Sequence, residues 1–273
     1  MELREILDSG DAVRLAALLA EGPGLATDRM ERMSGHPGGA SPLGYVAMQR
    51  YDTVRGEWRD VEGTGELARA LLAAGAPVDG TPDEQETPLI TAASYGDAAV
   101  ALVLIEAGAD LEARAADDSG GVPGGTALLH AAVFGMTEVV DMLVAAGAKV
   151  NGIEEAAAAG DVGGWLGNSS ADGRVRALVM AADHQRLEVI DTLVAAGTPV
   201  DDADPAFGGH PLRTAASNGR PASVRRLLAL GANPSLRDEQ DRTPLDLCRA
   251  GTRPGHREAE AILVPLTDAV GGA

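Results

Sequence analysis

Two of the five histidines of this chain, with one aspartate, fall at corresponding places along it. His130 stands directly before an Ala-Ala pair in TALLHAA, and Asp183 and His184 directly after one in RALVMAADH. An imidazole near a carboxylate can act as general acid and base near neutral pH. His130 and His184 are therefore the acid/base candidates and Asp183 an orienting or basic carboxylate. Tyr45 and Tyr95 would be walls or proton donors. Such a set is limited to cofactor-free chemistry: isomerisation, cyclisation, dehydration or hydrolysis. Contacts to a binding partner account for the same five side chains, and that reading is preferred.

No competing motif survives inspection. GxxxxGK[ST], GxGxxG and GxSxG are absent, so no nucleotide cofactor is expected. DDSGGVP at Asp117 to Pro123 is similar to the nucleophile segment of trypsin-like serine proteases, but departs from it at the leading Gly and at Val122, and chance accounts for it. His36, His130, His184, His210 and His256 show no HExxH or paired-ligand spacing, so no metal site is expected. Asp201, Asp202 and Asp204 lack EF-hand spacing and read as a solvated loop. Cys248 is the only cysteine, so no internal disulfide exists, and its Ala-like position points to a buried inert thiol.

The elements that must position these residues repeat. Thr87 of TPLITAA lies 21 residues before Gly108, and the same step separates Thr126 from Gly147, Arg176 from Gly197, and His210 from Gly231. A fixed period decides the fold before any local motif does. Each copy reads as a short helix, a turn, a second helix rich in Leu and Val, then Gly-Ala and an extended finger. Pro88, Pro211 and Pro244 sit at first-turn positions, where a missing N–H costs little. Ser41, Thr87 and Thr243 precede such positions as N-caps. Gly75, Gly108, Gly147, Gly197 and Gly231 fall where a left-handed residue ends the second helix.

The pattern T-P-L-x-x-A-A, G, V-x-x-L, G-A-x-V resembles the ankyrin repeat, of the bacterial type with insertions between and within repeats. The resemblance spans nearly the whole chain. It implies an all-α ankyrin-repeat solenoid of stacked helix pairs with short finger loops, expected as one domain over 1–273. Residues 1–40 form an N-terminal capping pair and loop, and 41–80, 86–113, 125–152, 175–202 and 209–236 are repeats. Residues 153–174 are an inserted helical segment, and 242–266 a C-terminal cap. The excess in the first repeat lies around Arg50 to Gly63, and the finger RAADDSGGVPGG is six residues longer than its counterparts. Insertions in a repeat array map to loops and often to a binding face.

Composition narrows the partners. Net charge is −19, which argues against nucleic acid, because phosphate binding needs clustered Lys and Arg. The first residues, MELREILDSGD, are acidic and amphipathic, unlike a signal sequence, and no apolar run reaches membrane length. A cytoplasmic protein without membrane contact is expected.

In each first helix the position before Ala-Ala and the two after it share one face. By the resemblance, that face looks into a concave groove. The ladder then reads Tyr45, Met48 and Gln49; Thr91, Ser94 and Tyr95; His130, Val133 and Phe134; Met180, Asp183 and His184; and Thr214, Ser217 and Asn218. Only seven aromatics exist, and Tyr45, Tyr95 and Phe134 fall on this face. Tyr95, Phe134 and His184 are expected to be partly accessible. Tyr51 and Trp58 lie in the first insertion, Trp165 in the third, and Phe207 in a finger. The two tryptophans read most simply as small cores of their own insertions. The reading is a binding module that presents groove and fingers to a protein partner. The alternative is a cofactor-independent enzyme or small-molecule binder, with a pocket closed by the insertions.

Overall fold

The computed structural model describes residues 2–30, 40–52, 57–59, 61–82, 84–206 and 208–268. Two expectations, those on His36 and Phe207, lie outside them. The chain divides into two compact units, Met1–Lys149 and Val150–Ala273. Apart from one small hairpin, the regular elements among the described residues are helical, as the repeat implied.

The first unit opens with α1 (Glu2–Ser9) and α2 (Ala12–Glu21), which bury Ile6, Leu7, Leu15 and Leu19. Three helix pairs follow. The first is α3 (Pro42–Ala47) with α4 (Thr64–Ala73), the second α5 (Pro88–Tyr95) with α6 (Ala98–Glu106), and the third α7 (Ala127–Val133) with α8 (Thr137–Ala145). The first helices α3, α5 and α7 lie side by side, and the second helices α2, α4, α6 and α8 form the layer behind them. Leu43, Leu67, Leu89, Leu104, Leu128 and Leu143 fill the space between the layers and are buried. Ala92, Ala93, Ala131 and Ala132 are fully buried, which lets neighbouring first helices approach closely.

Local chemistry sets where these helices begin and end. The side chains of Ser41, Thr87 and Thr126 accept from the N–H groups of Gly44, Ile90 and Leu129 and so cap α3, α5 and α7. The five recurrent glycines that follow second helices have φ between +84° and +96°, a conformation costly for residues with a Cβ. Between α3 and α4, the first insertion forms an antiparallel pair, β1 (Tyr51–Asp52) and β2 (Glu57–Trp58), with Tyr51 opposite Trp58. Successive fingers are linked: Asp79 accepts the Asp110 N–H at 2.9 Å, and Glu112 accepts that of Lys149 at 2.8 Å.

In the second unit α9 (Ile153–Ala159), α10 (Ala171–Asp183), α12 (Pro211–Ser217) and α14 (Pro244–Ala250) lie side by side. Behind them are α11 (Leu187–Ala195), α13 (Pro221–Ala229) and α15 (Pro254–Asp268). Helix α9 is followed only by a 3-10 turn at Leu166–Asn168 where a second helix would stand. The inserted segment is thus a truncated helix pair. Ion pairs tie neighbouring copies: Asp183 to Arg220 at 3.0 Å, and Asp204 to Arg176 at 3.3 Å. His210 occupies an N-cap position without capping through its side chain; its Nδ1–H donates to the Asp201 carbonyl at 2.9 Å.

Candidate binding cleft

A cleft of about 400 Å³ opens in the first unit. Five pieces of chain build it. Helix α3 supplies Gly44 and its C-cap Met48, and the hairpin brings Tyr51 and Trp58. Helix α5 and its approach supply Glu86, Thr91, Ser94 and Tyr95. The long finger adds Gly120 and Gly121, and the end of α7 adds Phe134. Last-turn residues of successive first helices share one face, and for this reason Met48, Tyr95 and Phe134 converge.

One side of the cleft is aromatic. Tyr51 stacks on Tyr95 with centroids 5.9 Å apart and planes 19° apart. Trp58 tilts against both, at 5.1 Å from Tyr51 and 6.5 Å from Tyr95. Tyr95 and Tyr51 are half-buried, whereas Trp58 is 46% exposed and Phe134 40%. Trp58 therefore does not close a core of its own. It joins the insertion to α5, because the hairpin lies against the last turn of that helix.

The other side is polar. The Glu84 carboxylate accepts the N–H groups of Ser41 at 2.9 Å and Thr81 at 2.8 Å, so its oxygens hold the surrounding loops. Among the described residues, the Glu86 side chain accepts only a long bond, 3.5 Å, from the Thr91 hydroxyl. The finger is pinned beside it. His130 places Nε2 3.0 Å from the Val122 carbonyl, which can only accept, so this nitrogen carries the proton. Nδ1 is then the acceptor toward the Ser94 hydroxyl at 2.8 Å, sharing that proton with the Ile90 carbonyl at 3.0 Å. Burial pushes the His130 pKa below its ordinary value, against the opposing influence of Glu86 and the Val122 carbonyl. The finger passes so close that a Cβ on Gly121 would lie 2.9 Å from both Glu86 Oε1 and His130 Cε1. Glycine is required there by space.

Two family models match the chain, ankyrin repeats (3 copies) over residues 61–153 and ankyrin repeats (many copies) over residues 193–248, together more than half its length. The chain belongs to the ankyrin repeat family. Ankyrin repeats are generally protein–protein interaction modules. Among curated proteins, the E3 ubiquitin-protein ligase Ufd4 of Drosophila melanogaster is 54% identical over 52 residues, which is 19% of this chain and 2% of that protein. Among solved structures, the human ASB11 ankyrin repeat domain is 23% identical, with 97% of each chain covered and a TM-score of 0.42.

Within this ankyrin array the ladder residues divide. Met48, Thr91, Tyr95 and Phe134 line the cleft together with Tyr51 and Trp58. Tyr45 does not. It is 1% exposed, with its hydroxyl donating to Asp8 at 2.6 Å and the Arg4 guanidinium 5.7 Å from its ring centroid. The capping helix α1 supplies both groups, so this tyrosine fastens the cap. Gln49 is buried as well. In the second unit Met180, Asp183 and His184 are buried, contrary to the accessibility expected of His184. Asn218 is half-buried and donates to Asp183 at 2.9 Å, beside the bond from Arg220. Trp165 is half-buried next to the 3-10 turn.

The acid/base candidates are divided between the two units, and His130 and Asp183 are each engaged by neighbours in their own unit. His130 is fully buried in the first unit with both ring nitrogens bonded. The copies that carry His130 and Asp183–His184 are also not consecutive, since α9 is a first helix that precedes α10 in its layer. Asp183 already serves Asn218 and Arg220. Glu86, Gly120 and Gly121 line the cleft without having been singled out for it. The signal available for them was the finger's extra length. Among the described residues, no cluster of three or more metal-ligating side chains occurs and no helix is long and apolar enough to cross a membrane.

Proposed function

We propose that the protein is a protein-interaction module that holds a segment of its partner in the cleft of the first unit. The supporting observation is the convergence of Tyr51, Trp58, Tyr95 and Phe134, drawn from a hairpin and two helices, on one open cleft. Soluble proteins rarely leave large aromatics together at the surface, and such clusters act as anchors at interfaces. The finger and the hairpin, the parts that depart from the repeat, form its walls, as expected when function sits in what varies between copies. The net charge of −19 favours a partner that is not a nucleic acid.

Selection from a displayed random-peptide library tests this reading. Enriched peptides are expected to bind the wild type and to lose affinity at least about tenfold, the scale of an aromatic anchor, on Tyr95→Ala or Phe134→Ala. Leu102→Ser, an exposed position on α6, is the control and should bind normally. Tyr95 is half-exposed, so its truncation should leave the circular dichroism and Tm nearly unchanged. Peptides that bind the Tyr95→Ala variant as tightly as the wild type would reject the cleft as the site, and so would a library that yields none.

A further inference from the structure

We infer that the partner segment presents an arginine to this cleft, with its guanidinium at Glu86 and its plane and stem against the aromatic wall. The inference rests on the cleft being the interaction site. It starts from Glu86, a half-buried carboxylate that lines the cleft and makes no ion pair among the described residues. Its side chain's one hydrogen bond among them is the 3.5 Å contact from Thr91. The nearest imidazole, His130, cannot neutralise it, since Nε2 already donates to Val122 and Nδ1 accepts from Ser94. Glu84, by contrast, is occupied by main-chain donors. A half-buried carboxylate is stabilised by a cation, and none lines the cleft among the described residues.

The opposite wall narrows the choice of cation. Tyr51, Trp58 and Tyr95 form a continuous aromatic surface, and Trp58 is the most exposed of them. Ring faces attract cations, and a planar guanidinium both stacks on them and pairs with a carboxylate through two N–H groups. An ammonium group has no plane to stack. Met48 and Phe134 offer apolar contact for the methylene stem. Beyond the cleft, the net charge of −19 steers basic segments toward the protein and raises their association rate.

The probe is a blocked peptide, Ala-Ala-Arg-Ala-Ala, with its citrulline counterpart as the neutral isostere. Binding is read from the Trp58 indole N–H resonance in a Trp165→Phe background, which leaves a single indole. The arginine peptide should shift that resonance, and citrulline should bind roughly tenfold more weakly, the loss expected for one charge-assisted contact. Glu86→Gln should weaken the arginine peptide by a similar factor and leave the citrulline peptide unchanged. Added salt should weaken the arginine peptide alone, a readout that needs no substitution at Glu86. Equal binding of the two peptides, or no effect of Glu86→Gln in a folded variant, would overturn the arginine while leaving the cleft as an interaction site. Failure of the arginine peptide to move Trp58 would overturn it too. Library peptides that depend on Tyr95 but carry no basic residue would sink the arginine alone, whereas a library without cleft-dependent peptides sinks both readings.

Discussion

Replacing Tyr45 by Phe removes one oxygen and leaves the ring in place, so it isolates the bond that fastens the capping helix. The hydroxyl donates to the Asp8 carboxylate at 2.6 Å from a site that is 1% exposed. Hydrogen bonds to charged groups contribute about 1.5–3 kcal/mol. Asp8 is exposed and regains water when the partner is lost, so the lower end applies, about 1.5 kcal/mol at neutral pH. The same bond carries a pH signature. Burial, then the bond to Asp8 and its charge, raise the Tyr45 pKa above its ordinary 10.0. Above that pH the unfolded chain releases the proton while the folded protein keeps it. The stabilisation is thus complete below pH 10.0 and is lost as the pH climbs toward the folded-state pKa. The loss amounts to about 1.4 kcal/mol per pH unit, so wild type and Tyr45→Phe should become equally stable near about pH 11. Urea unfolding followed by Trp58 fluorescence, in a Trp165→Phe background, reports the first unit across this range. A wild-type advantage of constant size from neutral to alkaline pH would refute the assignment of that advantage to the phenol proton, and no advantage at neutral pH would refute the bond.

Leu128→Ala should cost about 2–5 kcal/mol, because Leu128 is 1% exposed between the two helix layers and its truncation leaves a cavity; thermal melts of the first unit check this. Gln49→Met should raise stability by about 1–2 kcal/mol, since both amide atoms of Gln49 are buried without a hydrogen-bond partner; a lower Tm would contradict it. His130→Gln should flatten the acid side of the first unit's stability curve. The His130 pKa is lowered from 6.5 on folding, so its contribution is complete above 6.5 and is lost as the pH falls below 6.5 and through the lower folded-state pKa; an unchanged acid limb would count against this. Arg220→Met should destabilise the second unit by about 3 kcal/mol by leaving the Asp183 carboxylate buried with only Asn218, and adding Asp183→Asn should restore most of it, as read by Trp165 fluorescence.

Much of the helix framework was legible in residue order because it depends on local rules repeated at a fixed step. A Thr or Ser before a Pro at the repeat's recurring step starts a helix, as Thr87 does for α5, and a Gly that can adopt positive φ ends one, as Gly108 does after α6. Periodicity then decides which leucines face inward, and Leu89, Leu128, Leu178 and Leu212 are buried as expected. The ladder also placed Tyr95 and Phe134 on one surface, because residues near corresponding helix ends share a face.

Only the tertiary structure decided which ladder residues stay available. Tyr45 and Tyr95 fall on the same ladder face, one four residues and the other eight after its N-cap, yet α1 covers one and the hairpin lies beside the other. Helical spacing says where a side chain points and nothing about which distant segment lies over it. The pairing of His130 with Ser94 and Val122 likewise joins residues 36 and 8 positions away. An irregular finger brings one of these contacts, and its path follows from space, with Gly121 passing where no Cβ fits. That Glu86 makes no ion pair among the described residues was least visible of all, since which charges meet is a property of the packed cleft. Sequence order determined the scaffold through local backbone energetics, and the cleft's chemistry arose from long-range packing at the places where the repeat is broken.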